Sequence, residues 1–231
     1  MEKSTKVKFA YFPDRCLGIM VQYIAEICKL DYDYKQYEVR GPPDYIKEEW
    51  YSEKYTLGLD FPNLPYLIDG EFKMTETIPI MKYLCEKHRP ELLGCSIEER
   101  AKVNMVSSVI ESGYNETIYI AYYKKDAQKE YLETCYSKLE PISKFMGENK
   151  FLVGDQVTFI DIFLHEWINT LKAFEKGNGD LESKFPNLSR FQSHVKDLPE
   201  IKDFISSDRF RKQAYFNSYY GTNVSDFEDL S

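Results

Sequence analysis

The chain is short of positive charge and has no long apolar run. It carries 30 Lys and Arg against 38 Asp and Glu, a formal net charge of −8 over 231 residues. An acidic chain lacks the basic surface that attracts duplex nucleic acid or an anionic membrane, so we expect neither as a partner. No stretch approaches the roughly 18 apolar residues of a membrane-spanning helix. The N-terminal MEKSTKVKF also lacks the apolar segment of a secretory signal, so we expect none.

Side chains that hold metals or form disulfides are few and scattered. The sequence has 5 cysteines, an odd number without a CxxC pair, and 3 histidines that lack ligand-like neighbours at metal spacing. This pattern predicts free thiols in a reducing compartment. We therefore expect a cytoplasmic protein with no disulfide framework and no metal cofactor.

Aromatic residues are in excess, because 19 Tyr and 15 Phe bring the aromatic fraction to 16%. Most of them should pack in the core. A tyrosine at the end of a strand or helix can also use its phenol in hydrogen-bonding chemistry. Tyr11, at the end of the first predicted strand, is such a candidate.

The first half of the chain predicts a βαβ unit followed by a ββα unit. Charged and apolar residues alternate in the first strand, and the spacing of apolar residues becomes helical from Leu17. Asp69-Gly70 is a hairpin signal, and Pro79 falls in the first turn of a helix, where a missing N–H costs little. The predicted segments are strands at 6–12, 32–37, 66–69 and 72–75 and helices at 17–28, 44–51 and 78–88.

The second half predicts helices only. Long helical patterns cover 97–125 and 128–146, a Thr158–Asp161 capping box opens another helix, and Pro186 and Pro199 begin two short ones. The fold class is therefore α/β plus all-α. We expect one domain at 1–88, an all-helical domain at 89–231, and a poorly ordered acidic tail at 223–231.

A βαβ-ββα unit with Asn63-Leu64-Pro65 just before its third strand resembles the thioredoxin-like fold. With the helical second half added, the chain resembles a cytosolic glutathione transferase. The run LGLDFPNLPYLIDG at 57–70 is very similar to the mu-class pattern, and so are Trp50, Lys54 and Pro43-Asp44-Tyr45 before it. The resemblance spans about residues 6–216, and its helical half matches more loosely.

The resemblance implies a set of site residues. Tyr11 matches the tyrosine that hydrogen-bonds the glutathione sulfur, and Tyr122 a second tyrosine that overlooks the electrophile pocket. Phe12 stands where the class usually has tryptophan, and Glu76-Thr77 where it has Gln-Ser. The positions implied for glutathione binding are Phe12, Leu17, Lys47, Trp50, Lys54, Asn63, Leu64, Pro65 (expected to be cis), Glu76 and Thr77.

The function implied is the transfer of the glutathione thiolate to a hydrophobic electrophile, with glutathione as co-substrate. The resemblance also implies a homodimer, in which Phe61 inserts into the partner subunit. One alternative is a carrier of apolar ligands or a structural protein with little turnover. Another is a glutathione-dependent isomerase or thiol reductase.

Several of these residues have simpler explanations. Tyr11 and Tyr122 can be core tyrosines, Trp50 a hydrophobic anchor, and Glu76 a favourable acidic residue at a helix N-terminus. Cys16, at the start of the first helix, is a rival nucleophile, although the C-P motif of thiol-reducing classes is absent. Ser112 occupies the position where the mu class reaches the neighbouring subunit's glutathione with an acidic residue.

Overall fold

The computed structural model describes residues 6–13, 15–40, 46–123, 128–175 and 180–211, without the side chains of 121–123, 128, 173 and 174. The predicted tail at 223–231 and the Pro43-Asp44-Tyr45 segment lie outside the described residues.

A four-stranded sheet forms the centre of the first half, in the order β2-β1-β3-β4. Its strands are β1 (Val7–Tyr11), β2 (Tyr32–Gln36), β3 (Tyr66–Asp69) and β4 (Phe72–Thr75). β1 pairs in parallel with β2 and antiparallel with β3, and β3 pairs antiparallel with β4. A helix, α1 (Cys16–Ile27), makes the crossover that a parallel pair requires, which confirms the βαβ prediction.

The predicted hairpin strands at 66–69 and 72–75 are confirmed. Asp69 pairs with Phe72, so Gly70-Glu71 forms the loop, and the positive φ of 62° falls on Gly70. One helix prediction, in contrast, is displaced along the chain. The helix expected at 44–51 is α2 (Glu48–Glu53). Its later start places Glu48 and Glu49 in the first turn, where carboxylates interact favourably with the helix dipole.

α1 and α3 (Thr77–His88) pack against each other beside the sheet. Met20 and Ile24 of α1, like Ile80 and Leu84 of α3, are 0% exposed. Apolar residues at this four-residue spacing bury one face of each helix and fix the position of its N-terminus.

After His88 the described residues form helices and turns, with one isolated β-bridge between Phe151 and Gly154. The helices are α4 (Ile97–Tyr123), α5 (Gln128–Met146), α6 (Phe159–Glu175), α7 (Leu181–Lys184), α8 (Pro186–Lys196) and α9 (Pro199–Ile205). α7 and a 3₁₀ turn at Pro90–Leu93 were not predicted, because single turns carry too little periodicity. No helix in the described part of the chain is long and apolar enough to cross a membrane.

α6 is the buried centre of the helical half. Ile160, Leu164 and Trp167 are 0% exposed. One half of the predicted capping box forms at its start: the Asp161 carboxylate accepts hydrogen bonds from the backbone N–H of Thr158 (2.7 Å) and Leu152 (2.8 Å) and from Thr158 Oγ1 (2.6 Å). The other half does not form, because the Asp161 N–H donates to the Thr158 carbonyl oxygen (3.1 Å) and not to its hydroxyl. This cap fixes the start of a helix that also contacts α1.

Candidate active site

Tyr11 ends β1, the strand that lies between β2 and β3, and is 8% exposed. The first turn of α1 approaches it closely, because a Cβ atom on Gly18 would lie 2.6 Å from the Tyr11 Cβ and 2.7 Å from Tyr34 Oη. Only glycine fits at that distance. Gly18 therefore places Tyr11 directly beside the N-terminus of α1. Its importance was not predicted, because a glycine inside a helical pattern shows its close contact only in the folded chain.

Cys16, the rival nucleophile, is 4% exposed at the first position of α1. Its sulfur lies 2.9 Å from the phenol oxygen of Tyr114 on α4, and either atom can be the donor. Burial and this contact favour a packing role for the thiol, because a reactive cysteine needs partial exposure.

Asn63, Glu76 and Thr77 meet at the N-terminus of α3. The Asn63 side-chain amide donates a hydrogen bond to Glu76 Oε1 at 3.1 Å. The Leu64–Pro65 peptide bond that follows is cis, as predicted. The fold thus brings Asn63, in the loop before β3, into contact with Glu76 at the start of α3.

Glu76 and Thr77 carry two features that the packing of the chain does not account for. Glu76 has φ = 75° and ψ = 127°, a conformation that is costly for a residue with a side chain and is often found at functional sites. Thr77 is 6% exposed, and its hydroxyl oxygen is buried with no hydrogen-bond partner within the described residues.

The start of α3 is therefore suited to a ligand that carries both charges. Among the described residues no side chain caps this helix, so its first N–H groups and the Thr77 hydroxyl are available for a carboxylate. The Glu76 carboxylate next to them can pair with an ammonium group.

Two cation–ring contacts join four further predicted residues, Lys47 with Phe12 and Lys54 with Trp50. The Lys47 ammonium lies 4.6 Å from the Phe12 ring centroid, and the Lys54 ammonium 5.6 Å from that of Trp50. Trp50 is only 5% exposed. Its ring packs on Tyr37 and Tyr66, at centroid distances of 5.1 and 6.2 Å, so the simpler explanation as an anchor describes most of its contacts.

The remaining predicted residues are more dispersed. Leu17 is half-buried in the first turn of α1, and Leu64 is 7% exposed. Tyr122 belongs to α4, but its side chain lies outside the described residues. Phe61 is 78% exposed. Within the described residues, no group of three or more His, Cys, Asp and Glu side chains is placed to hold a metal ion.

Two family models match the chain: "Glutathione S-transferase, N-terminal domain" over residues 9–86 and "Glutathione S-transferase, C-terminal domain" over residues 113–208. Glutathione S-transferase Mu 1 of Oryctolagus cuniculus is 34% identical over 209 residues, which are 89% of this chain and 93% of that protein. The chain belongs to the glutathione S-transferase family.

This transferase is similar to other Mu proteins, including Glutathione S-transferase Mu 2 of Mus musculus, which is 34% identical over 208 residues (89% of this chain and 93% of that protein). Its fold matches the crystal structure of the glutathione S-transferase Blo t 8 with a TM-score of 0.82 and 24% identity, over 93% of this chain and 98% of that one. The thioredoxin-like domain followed by a helical domain is thus confirmed, as is the similarity to the mu class.

Proposed function

We propose that this transferase binds glutathione across the ends of β1 and α3 and transfers its thiolate to a hydrophobic electrophile. Membership of the family and the Mu names of its relatives support glutathione conjugation over a non-catalytic carrier, an isomerase or a thiol reductase. The observation that carries the choice of site is the buried, unpartnered Thr77 hydroxyl beside the strained Glu76.

The γ-glutamyl head of glutathione fits the start of α3. Its carboxylate would accept hydrogen bonds from the Thr77 hydroxyl and the helix N-terminus, and its ammonium would pair with Glu76. The loop with the cis Leu64–Pro65 bond, and Asn63 in it, would pair with the peptide backbone of the ligand. Leu17 and Phe12 would lie along the ligand, and Lys47, Lys54 and Trp50 would hold its glycine carboxylate.

Tyr11 is the proposed catalytic residue. A free thiol has a pKa of about 8.5, so only a few per cent is thiolate at pH 7. A phenol O–H directed at the sulfur stabilises the thiolate, and the nearby N-terminus of α1 adds to this effect. Lowering the thiol pKa by about two units corresponds to about 2.7 kcal/mol and makes the thiolate the main species.

The two domains would have separate roles in this reaction. Residues 1–88 would bind glutathione, and residues 89–231 would shape the electrophile pocket, with Tyr122 overlooking it. The protein would be a homodimer in the cytoplasm. Insertion of Phe61 into the partner subunit agrees with the 78% exposure of that ring in the single chain.

The test is Tyr11→Phe, with Tyr83→Phe as a matched control. Tyr83 Oη donates to Asp69 Oδ2 at 2.8 Å, so the control removes a phenol hydrogen bond outside the site. Glutathione-agarose retention, thiolate absorbance against pH and conjugation of chloro-dinitrobenzene are measured. We expect Tyr11→Phe to keep glutathione binding, to raise the bound thiol pKa and to lose conjugation at neutral pH. Equal thiol pKa values in all three proteins would remove Tyr11 from the mechanism.

A further inference from the structure

Cys28 and Cys85, called the thiol pair below, lie at the C-terminal ends of α1 and α3. The proposed glutathione site lies at the opposite, N-terminal ends of these two helices. Cys28 caps the C-terminus of α1, and Cys85 lies in the last turn of α3. The Cys28 sulfur is 3.9 Å from the carbonyl oxygen of Leu84, the residue before Cys85. Because α1 and α3 pack against each other, this contact places the Cys28 thiol next to the backbone of the residue pair Leu84-Cys85.

The two thiols differ in accessibility. Cys28 is half-buried, whereas Cys85 is 0% exposed. A dissolved reagent can therefore reach Cys28 more readily than Cys85. Such an arrangement separates an attacking thiol from a resolving thiol.

The charges around the pair favour a thiolate on Cys28. Arg89 Nη1 donates to the carbonyl oxygen of Ile27 at 3.1 Å, and the Arg89 backbone N–H donates to the carbonyl oxygen of Cys85 at 2.8 Å, so the guanidinium is held beside the thiols. The Cys85 hydrogen bond is the main influence that lowers the Cys28 pKa, and Arg89 adds to it against burial and the Glu91 carboxylate. The same hydrogen bond and burial raise the pKa of Cys85.

We propose that Cys28 and Cys85 are a redox-active dithiol that exchanges with small-molecule disulfides of the glutathione disulfide class. The Cys28 thiolate attacks one sulfur of the disulfide, forms a mixed disulfide and releases one thiolate. Cys85 then gives up its proton and attacks the Cys28 sulfur, which forms the Cys28–Cys85 bond and releases the second thiol. The dithiol loses two hydrogens and the small-molecule disulfide gains two, so the exchange balances.

The distance between this pair and the proposed site makes the two chemistries separable. α1 and α3 begin near Tyr11 and Glu76 and end at the thiol pair, and a 12-residue helix is roughly 18 Å long. Oxidation of the pair should therefore change the rate of conjugation less than about two-fold, since a contact that far away does not reposition the sulfur-binding groups.

The experiment incubates the full chain, in a Cys95→Ser background that removes the exposed thiol, in buffers of increasing glutathione disulfide to glutathione ratio. Free thiols are counted after denaturation, and peptide mass mapping locates any new bond. We expect two thiols to disappear together and a Cys28–Cys85 cross-linked peptide to appear, reversibly on addition of reduced glutathione.

Variants identify the order of attack. Cys85→Ala should accumulate glutathione on Cys28. Cys28→Ser should react with glutathione disulfide at least about ten-fold more slowly than the parent, since only a thiolate attacks. Cys135→Ala, at a second buried cysteine, is the matched control and should form the bond like the parent. Thermal unfolding verifies that each variant is folded. If both thiols stay free in the parent at every ratio, or if Cys28 keeps its glutathione in the parent as in Cys85→Ala, the proposal is overturned.

Discussion

The guanidinium of Arg15 and the carboxylate of Glu166 form a two-point ion pair in which both side chains are 2% exposed. Arg15 Nε donates to Oε1 at 3.1 Å, and Arg15 Nη2 to Oε2 at 2.8 Å. Asn169 Nδ2 adds a hydrogen bond to Oε2 at 3.3 Å. Because Arg15 immediately precedes α1 and Glu166 lies on α6, the pair ties the turn after Tyr11 to the helical half of the chain.

Breaking this pair from one side should destabilise the protein strongly. Glu166→Gln leaves the Arg15 charge buried without a counter-charge, and losses for such changes are about 3–5 kcal/mol. Urea unfolding measures the change in the free energy of unfolding. The joint replacement Arg15→Met with Glu166→Leu should cost less than Glu166→Gln, since no lone charge remains buried.

The exposed pair between Lys144 and Glu140 on α5 is the control, and Glu140→Gln should barely change stability because water screens both groups. A Glu166→Gln variant as stable as this control would show that the buried pair contributes nothing.

His165 should make stability depend on pH. Burial, with the nearby Arg15 charge, lowers the pKa of His165 to about 3, well below the usual value of about 6.5. Below pH 6.5 the unfolded chain therefore binds a proton that the folded chain does not. Stability should then fall with falling pH by about 1.4 kcal/mol per unit, until the pH nears the folded-state pKa.

The check compares urea unfolding at pH 7 and 5 for the parent, His165→Phe and His88→Gln. Phenylalanine retains the ring contact to Tyr23, which has a centroid distance of 6.0 Å, while His88 is exposed. Burial lowers the pKa of His88 as well, so we expect both variants to reduce the pH dependence, and His165→Phe to reduce it by much more because His165 is fully buried. An unchanged slope would mean that His165 is protonated in the folded protein.

Phe61 should strengthen association of two chains. Burying a phenylalanine contributes about 1.5–3 kcal/mol, and a homodimer buries two of them, so Phe61→Ser should raise the dissociation constant of the dimer about 100- to 10,000-fold. Tyr55 is exposed almost equally, at 77% against 78%, which makes Tyr55→Ser the matched control. Sedimentation across micromolar dilution measures both. A monomeric parent, or equal effects of the two variants, would contradict the assignment.

Glu76 should supply the negative charge for the glutathione ammonium group. Glu76→Gln retains an oxygen for the Asn63 amide and removes only the charge, so the loop should keep its conformation. A charge-assisted hydrogen bond is worth roughly 1.5–3 kcal/mol, so glutathione binding should weaken by about 10- to 100-fold.

Calorimetric titration with glutathione gives the dissociation constants. Ser112→Ala is the control and should bind as the parent does. Ser112 and its neighbour Glu111 are both exposed on α4. A harmless Glu76→Gln together with a damaging Glu111→Gln would instead place the charge in the partner subunit, as in the mu class.

The sequence by itself determined the order of strands and helices, the parallel β1–β2 pair and the residues at 57–70 that identify the family. These follow from local periodicity, turn residues and a contiguous motif, all of which are visible without coordinates. Its error in the first half was also local, because α2 begins at Glu48, later than predicted.

Only the tertiary structure decided which distant side chains meet. Asn63 reaches Glu76, Arg15 reaches Glu166, and Cys28, one of five scattered cysteines in the sequence, contacts the last turn of α3, which carries Cys85. No local pattern encodes these contacts, since each depends on how helices pack on the sheet and on one another. Burial then sets the chemistry, because taking a charge or a thiol out of water changes its pKa and its need for a partner.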